Sequence, residues 1–82
     1  MIICVDLDKT LAQADDSKPF NPEVIGEPVW RMVRYIQWRL ELGDTVEIFT
    51  ARVYNNPRAV ALIQDWLEEV AGLPRLLVTN VK

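Results

Sequence analysis

Apolar residues recur along this chain in two rhythms, and the alternation between them predicts its elements. Ile2-Ile3-Cys4-Val5 is a continuous apolar run rich in β-branched side chains, which predicts a buried strand with Cys4 inside it as a small core side chain. Val29, Val33, Ile36 and Leu40 then return at helical spacing with Met32 at their edge, and Thr45-Val46-Glu47-Ile48-Phe49 reads as a second strand. A second helical stripe follows in Val60, Ile63, Trp66, Leu67 and Val70, opposite Arg58, Asp65, Glu68 and Glu69. Leu76, Leu77 and Val78 close the pattern as a third strand.

The boundaries carry their own signals. Pro28 suits the first turn of the first helix and Gly43 its stop. Asn55-Asn56-Pro57 predicts an Asn cap with proline at the first helical position, and Ala71-Gly72-Leu73-Pro74 ends the second helix. Tyr35, Trp38 and Leu42 form a second apolar strip on the first helix, more than a compact monomer normally exposes. Residues 12–28 are polar and punctuated by Pro19, Pro22, Gly26 and Pro28, which predicts a loop or short hairpin. Within it, Asp15 and Asp16 fit a solvated turn better than a pair of metal ligands.

Strand, helix, strand, helix, strand in this order predicts an α/β domain spanning residues 1–82, with right-handed crossovers and a short parallel sheet. Ligands of open parallel sheets bind beyond the carboxyl ends of the strands. Asp6 and Asp8 follow the first strand, Thr50, Ala51 and Arg52 the second, and Lys82 the third, so the three ends converge. The 12–28 loop leaves from the same end and can overhang the site.

Composition narrows the chemistry. Histidine is absent, which removes histidine bases and imidazole zinc sites and leaves acid-base work to carboxylates. One cysteine allows no intrachain disulfide. Twelve acidic and nine basic residues, spread without a basic block, argue against general nucleic-acid binding, although a nucleic-acid end remains a conceivable substrate. No stretch approaches a membrane span and no leader is visible, so the expected compartment is the cytoplasm.

These residue types suit phosphoryl transfer. A carboxylate can attack phosphorus and divide a difficult hydrolysis into two easier steps, and Asp6 is the candidate nucleophile. Alternate strand residues share a direction, so Asp8 lies beside Asp6 if the extended geometry persists that far. Asp8 could then give a proton to the leaving oxygen and later activate water. Clustered carboxylates and phosphate call for a divalent cation, and oxygen donors favour Mg²⁺. The Thr50 hydroxyl and the neighbouring N–H of Ala51 can hold phosphate oxygens, and Lys82 can neutralise charge there. Thr50 fits a turn cap equally well, and Arg52 fits either a substrate contact or a surface salt bridge.

The run VDLDKTL in residues 5–11, TAR in residues 50–52 and a lysine after the third strand resemble motifs I to III of the haloacid dehalogenase (HAD) superfamily of aspartate-nucleophile phosphatases. IGEPVW, EIFTARV and VTNVK look closer still to small capless HAD-like hydrolases of bacteria and their phages. The resemblance implies a Rossmann-like three-layer core, Asp6 as nucleophile and Mg²⁺ ligand, and Asp8 as general acid/base giving its backbone carbonyl to the metal. It also implies that Thr50 and Lys82 bind phosphate. Lys9 stands where the family often has glycine and is expected to point to solvent.

One departure stands out. The family's fourth motif, an acidic residue or pair after a further strand, has no counterpart here, and Asp65, Glu68 and Glu69 lie on the wrong side of their helix to replace it. The expectation is a core truncated at its C-terminus that self-associates and acts on a small phosphorylated substrate, with little cap to shape a pocket. The alternatives are a non-catalytic phosphate- or metal-binding module and a phosphoacceptor signalling domain. The D-x-D-x-T spacing argues against the last.

Overall fold

The structure, a computed structural model, describes residues 1–14, 17–21 and 23–80. Three strands, β1 (Ile2–Asp6), β2 (Thr45–Phe49) and β3 (Leu77–Thr79), form a parallel sheet in the order β1-β2-β3. Helix α1 (Trp30–Glu41) links the first two strands, and a 3₁₀ turn (Ala51–Val53) and helix α2 (Pro57–Glu69) link the second pair. The short parallel α/β sheet predicted from the apolar rhythm is therefore formed.

Both crossovers step the same way along the sheet, and right-handed connections stepping in one direction land on one face. Register makes the consequence visible. Val5, Ile48 and Val78 lie side by side across the three strands and are all buried. They pack with Val33 and Ile36 of α1 and Ile63 and Leu67 of α2 in a single core cluster. Fully burying an aliphatic side chain of this size contributes roughly 1.5–3 kcal/mol before the entropy of ordering is counted.

One residue along, Cys4, Glu47 and Leu77 form the next row on the opposite face, where Cys4 and Leu77 are exposed. The expected third layer is not formed by the described residues, and the expected burial of Cys4 is overturned for the same reason. Only alternate residues of β1 meet the helices.

Element boundaries follow local chemistry with three corrections. Helix α1 begins after Pro28, with Val29 at its N-cap, because Pro28 is buried in an isolated antiparallel bridge to Ala12 and the Val29 N–H donates to the Leu11 carbonyl at 2.7 Å. Pro28 is thus the end of the preceding loop and not part of the first turn. Asn56 occupies the N-cap of α2 with Pro57 first in the helix, as predicted, but its side chain makes no capping bond. Val70 is exposed at the C-cap of α2, where the helical stripe runs out. Gly43 ends α1 as expected, its φ of +88° being accessible to glycine without a Cβ penalty.

On α1 the strip of Tyr35, Trp38 and Leu42 is exposed, with the two rings 6.1 Å apart and the Arg39 guanidinium 5.4 Å from the Trp38 ring centre. Among the described residues, no helix is long and apolar enough to cross a membrane.

Candidate functional site

The site forms where β1 gives way to a tight turn. The ladder persists one residue past the strand, with the Leu7 N–H donating to Phe49 at 3.2 Å, and then stops. Leu7 is fully buried, and its carbonyl accepts from the N–H groups of Thr10, Leu11 and Ala12 at 3.3, 2.9 and 2.8 Å. An apolar anchor therefore pins the turn between the two acids. Lys9 completes it at φ +68°, a left-handed conformation costing an L-residue roughly 1–2 kcal/mol. That backbone explains why glycine would be at home here, and Lys9 is exposed as predicted.

The extended geometry does not reach Asp8, because the strand ends at Asp6. The two carboxylates nevertheless border one pocket of about 380 Å³, together with Phe20, Thr50, Ala51 and Arg52. Asp6 is exposed on the open side of the sheet and Asp8 is half-buried.

Of the two roles weighed for Thr50, the structure shows the cap and sets the residue at the pocket. It caps the 3₁₀ turn, its Oγ1 accepting from the Arg52 N–H at 3.2 Å, and it lines the pocket. A hydroxyl that accepts one bond keeps its own proton to donate, so the cap leaves a donor for an anion. Its backbone N–H donates to Thr79 at 3.0 Å, tying the turn to β3.

Arg52 is the centre of the arrangement. Its Nε donates to Asp8 Oδ2 at 2.9 Å and its Nη2 to Asp8 Oδ1 at 2.8 Å, a bidentate pair of the kind that guanidinium geometry favours. Its Nη1 donates to the Val24 carbonyl at 2.9 Å, and the Phe20 ring centre lies 4.8 Å from the guanidinium carbon. With only 7% of its side chain accessible, this is no surface salt bridge. It joins the acid turn, the second strand end and the overhanging loop.

That loop is narrow at its base. The Gln13 N–H donates to Glu27 at 2.8 Å beside the Ala12–Pro28 bridge, closing a hairpin-like strap. Gly26 permits the closure, since a Cβ there would stand 1.9 Å from the Gln13 carbonyl oxygen. Trp66 on α2 is buried core, as expected, and its indole N–H also donates to the Gly26 carbonyl at 3.2 Å. The strap shapes more of a pocket than predicted. It walls an open cavity of about 1060 Å³ that shares Asp8, Phe20 and Arg52 with the smaller one and extends to Lys9, Lys18 and Asn21.

Lys82, Asp15 and Asp16 lie outside the described residues, so their expected roles are not placed. The acids of α2 are placed, and they face away: Asp65 pairs with Arg75 at 2.7 Å and Glu68 lies 3.7 Å from the same group. The hydrogen bond to Asp65 raises the Arg75 pKa. Among the described residues no group of three or more acidic or thiol side chains could enclose a metal. The donors at the pocket are the Asp6 carboxylate and an Asp8 carboxylate already engaged at both oxygens.

Four participants escaped the sequence reading: Phe20, Val24, Gly26 and the polar end of Trp66. Phe20 offered a signal as the one aromatic residue of its loop, and Gly26 offered a turn signal without its close approach to Gln13. Comparison with family models, with curated proteins and with solved structures gives no significant match, so the reading of this site rests on its geometry and on the motifs themselves.

Proposed function

We propose that the chain is a Mg²⁺-dependent phosphomonoesterase of the HAD type, working through an aspartyl-phosphate on Asp6. The observation that carries this reading is the convergence of Asp6, Asp8, Thr50, Ala51 and Arg52 on one pocket at the carboxyl end of a parallel sheet. In the first half-reaction an Asp6 carboxylate oxygen forms a bond to phosphorus as the ester oxygen departs and takes a proton from Asp8. In the second, Asp8 accepts a proton from water, whose oxygen attacks phosphorus and returns Asp6 to the carboxylate. The Thr50 hydroxyl and the Ala51 N–H hold the non-bridging oxygens.

A Mg²⁺ ion fits the donor set in kind, since such ions commonly use one or two carboxylates together with substrate phosphate and water. Asp6 would hold it, with the Asp8 carbonyl in support, and the ion would offset the repulsion between carboxylate and phosphate. Lys82 is assigned the remaining phosphate charge on this reading. On this reading the substrate is a small phosphorylated molecule, and the carboxyl ends of the three strands would carry the first three motifs, the third of them on Lys82.

Hydrolysis of p-nitrophenyl phosphate should require Mg²⁺ and fall to background in Asp6→Asn. Undiminished turnover in that variant would remove Asp6 as nucleophile. A second reading, a non-catalytic phosphate-binding module, draws support from the engagement of both Asp8 oxygens by Arg52. Phosphate binding by the wild-type chain without turnover would favour it. Self-association belongs to either reading, given the exposed strip on α1 and the uncovered face of the sheet.

A further inference from the structure

The Asp8–Arg52 pair poses a chemical problem that the catalytic scheme does not resolve. A general acid must present a proton to the leaving oxygen, yet both Asp8 oxygens accept from Nε and Nη2 of one guanidinium. We propose that Arg52 is a latch for which Asp8 and the substrate's phosphoryl group compete: a bound phosphate ester takes the Nε and Nη2 edge for its own oxygens and so releases Asp8 toward the leaving group. The proposal rests on the phosphatase reading and assigns its site a resting state in which Asp8 is held back.

Three features support the exchange. The guanidinium edge that grips Asp8 presents two parallel donors, and their spacing matches two phosphoryl oxygens as well as two carboxylate oxygens. Arg52, Asp6, Asp8 and Thr50 border the same pocket, so an anion held by Thr50 would share it with the guanidinium. The opposite side of the guanidinium is anchored independently, by the bond from Nη1 to the Val24 carbonyl and by the Phe20 ring. The strap can therefore keep the cation in place while its anionic partner changes.

Burial makes this an exchange of partners and not a simple opening. A guanidinium with 7% of its side chain accessible is poorly solvated, and leaving it without an anion is costly. Asp8 supplies that anion at rest, and the phosphoryl group supplies it in the complex. Asp8 consequently opposes phosphate binding through Arg52 and not merely by repulsion.

The distinction is measurable by titrating inorganic phosphate into the full chain, using calorimetry and the Arg52 Nε–H resonance. Asp8→Asn should tighten phosphate about tenfold, the scale of one charged hydrogen-bonded partner lost from competition. In an Arg52→Gln background the same substitution should change affinity by less than about threefold, a strong non-additivity expected only of groups that interact. Phosphate should also shift the Nε–H resonance of the wild type. Circular dichroism checks that each variant folds, and Arg52→Lys, which keeps the charge but loses the fork, replaces Arg52→Gln if that variant does not.

Equal or greater tightening by Asp8→Asn without Arg52 would show plain repulsion and overturn the latch, leaving the phosphate site intact. An unshifted Nε–H resonance at saturating phosphate would overturn it too. Absence of phosphate binding in both the wild type and Asp8→Asn would remove the latch and the phosphatase reading together.

Discussion

Adjacent rows of the same sheet meet opposite fates. Val5, Ile48 and Val78 are buried beneath both helices, whereas Cys4, Glu47 and Leu77, one residue earlier on each strand, face outward with Leu77 57% exposed. Hydrophobicity separates the rows on β2, where Glu47 precedes Ile48, but not on β3, where Leu77 is as apolar as Val78. The difference is made by the crossovers, which place α1 and α2 on one side and leave the other to solvent. It also bears on function, since Asp6 belongs to the open side, where a ligand can approach without displacing a helix.

The largest effect expected from this contrast is in the covered row. Ile48→Ala should destabilise the fold by about 2–5 kcal/mol, the usual range for deleting a buried aliphatic side chain. For a domain of this size, even the lower figure is a large share of the total stability. Urea denaturation followed by far-ultraviolet circular dichroism should show a low midpoint or no folded baseline. A loss below about 1 kcal/mol would mean that this row is not the centre of the core.

The strap offers a second, intermediate test, because its base is close-packed although most of its described residues are exposed. Gly26→Ala forces a methyl against the Gln13 carbonyl and should cost about 1–3 kcal/mol, as overpacking typically does. Trp66 fluorescence should change as well, since the indole N–H donates to the Gly26 carbonyl. If stability and fluorescence are both unaltered, the strap is not clamped at its base. The core rows would then be the only firmly specified part of the molecule.

The order of elements and their parallel sheet were legible because helical and strand periodicities are local. So was the convergence of Asp6, Asp8 and Thr50, since strand ends follow from topology. Burial in β1 was not legible. An apolar run of four residues has no parity of its own, and only the direction of the crossovers decides which side meets the helices. The Asp8–Arg52 pair was hidden for a related reason: its partners are 44 positions apart and meet because a turn after β1 and a 3₁₀ turn after β2 share one end of the sheet. Gly26 offered only a turn signal, while its close approach to Gln13 belongs to tertiary structure.

The smallest expected effect lies on the open face and is informative for that reason. Leu77→Thr keeps a β-compatible side chain where little apolar contact exists to lose, so stability should move by no more than about 0.5 kcal/mol. Self-association would change that expectation. If a second copy covers this face, the loss should exceed about 1 kcal/mol and grow with protein concentration, because association stabilises by mass action. Sedimentation equilibrium on wild type and Leu77→Thr separates the cases. A monomer with an indifferent Leu77 leaves the open face to solvent, whereas a dimer dissociated by this substitution places its interface there. A dimer unaffected by it directs attention to Tyr35, Trp38 and Leu42, which are exposed on α1.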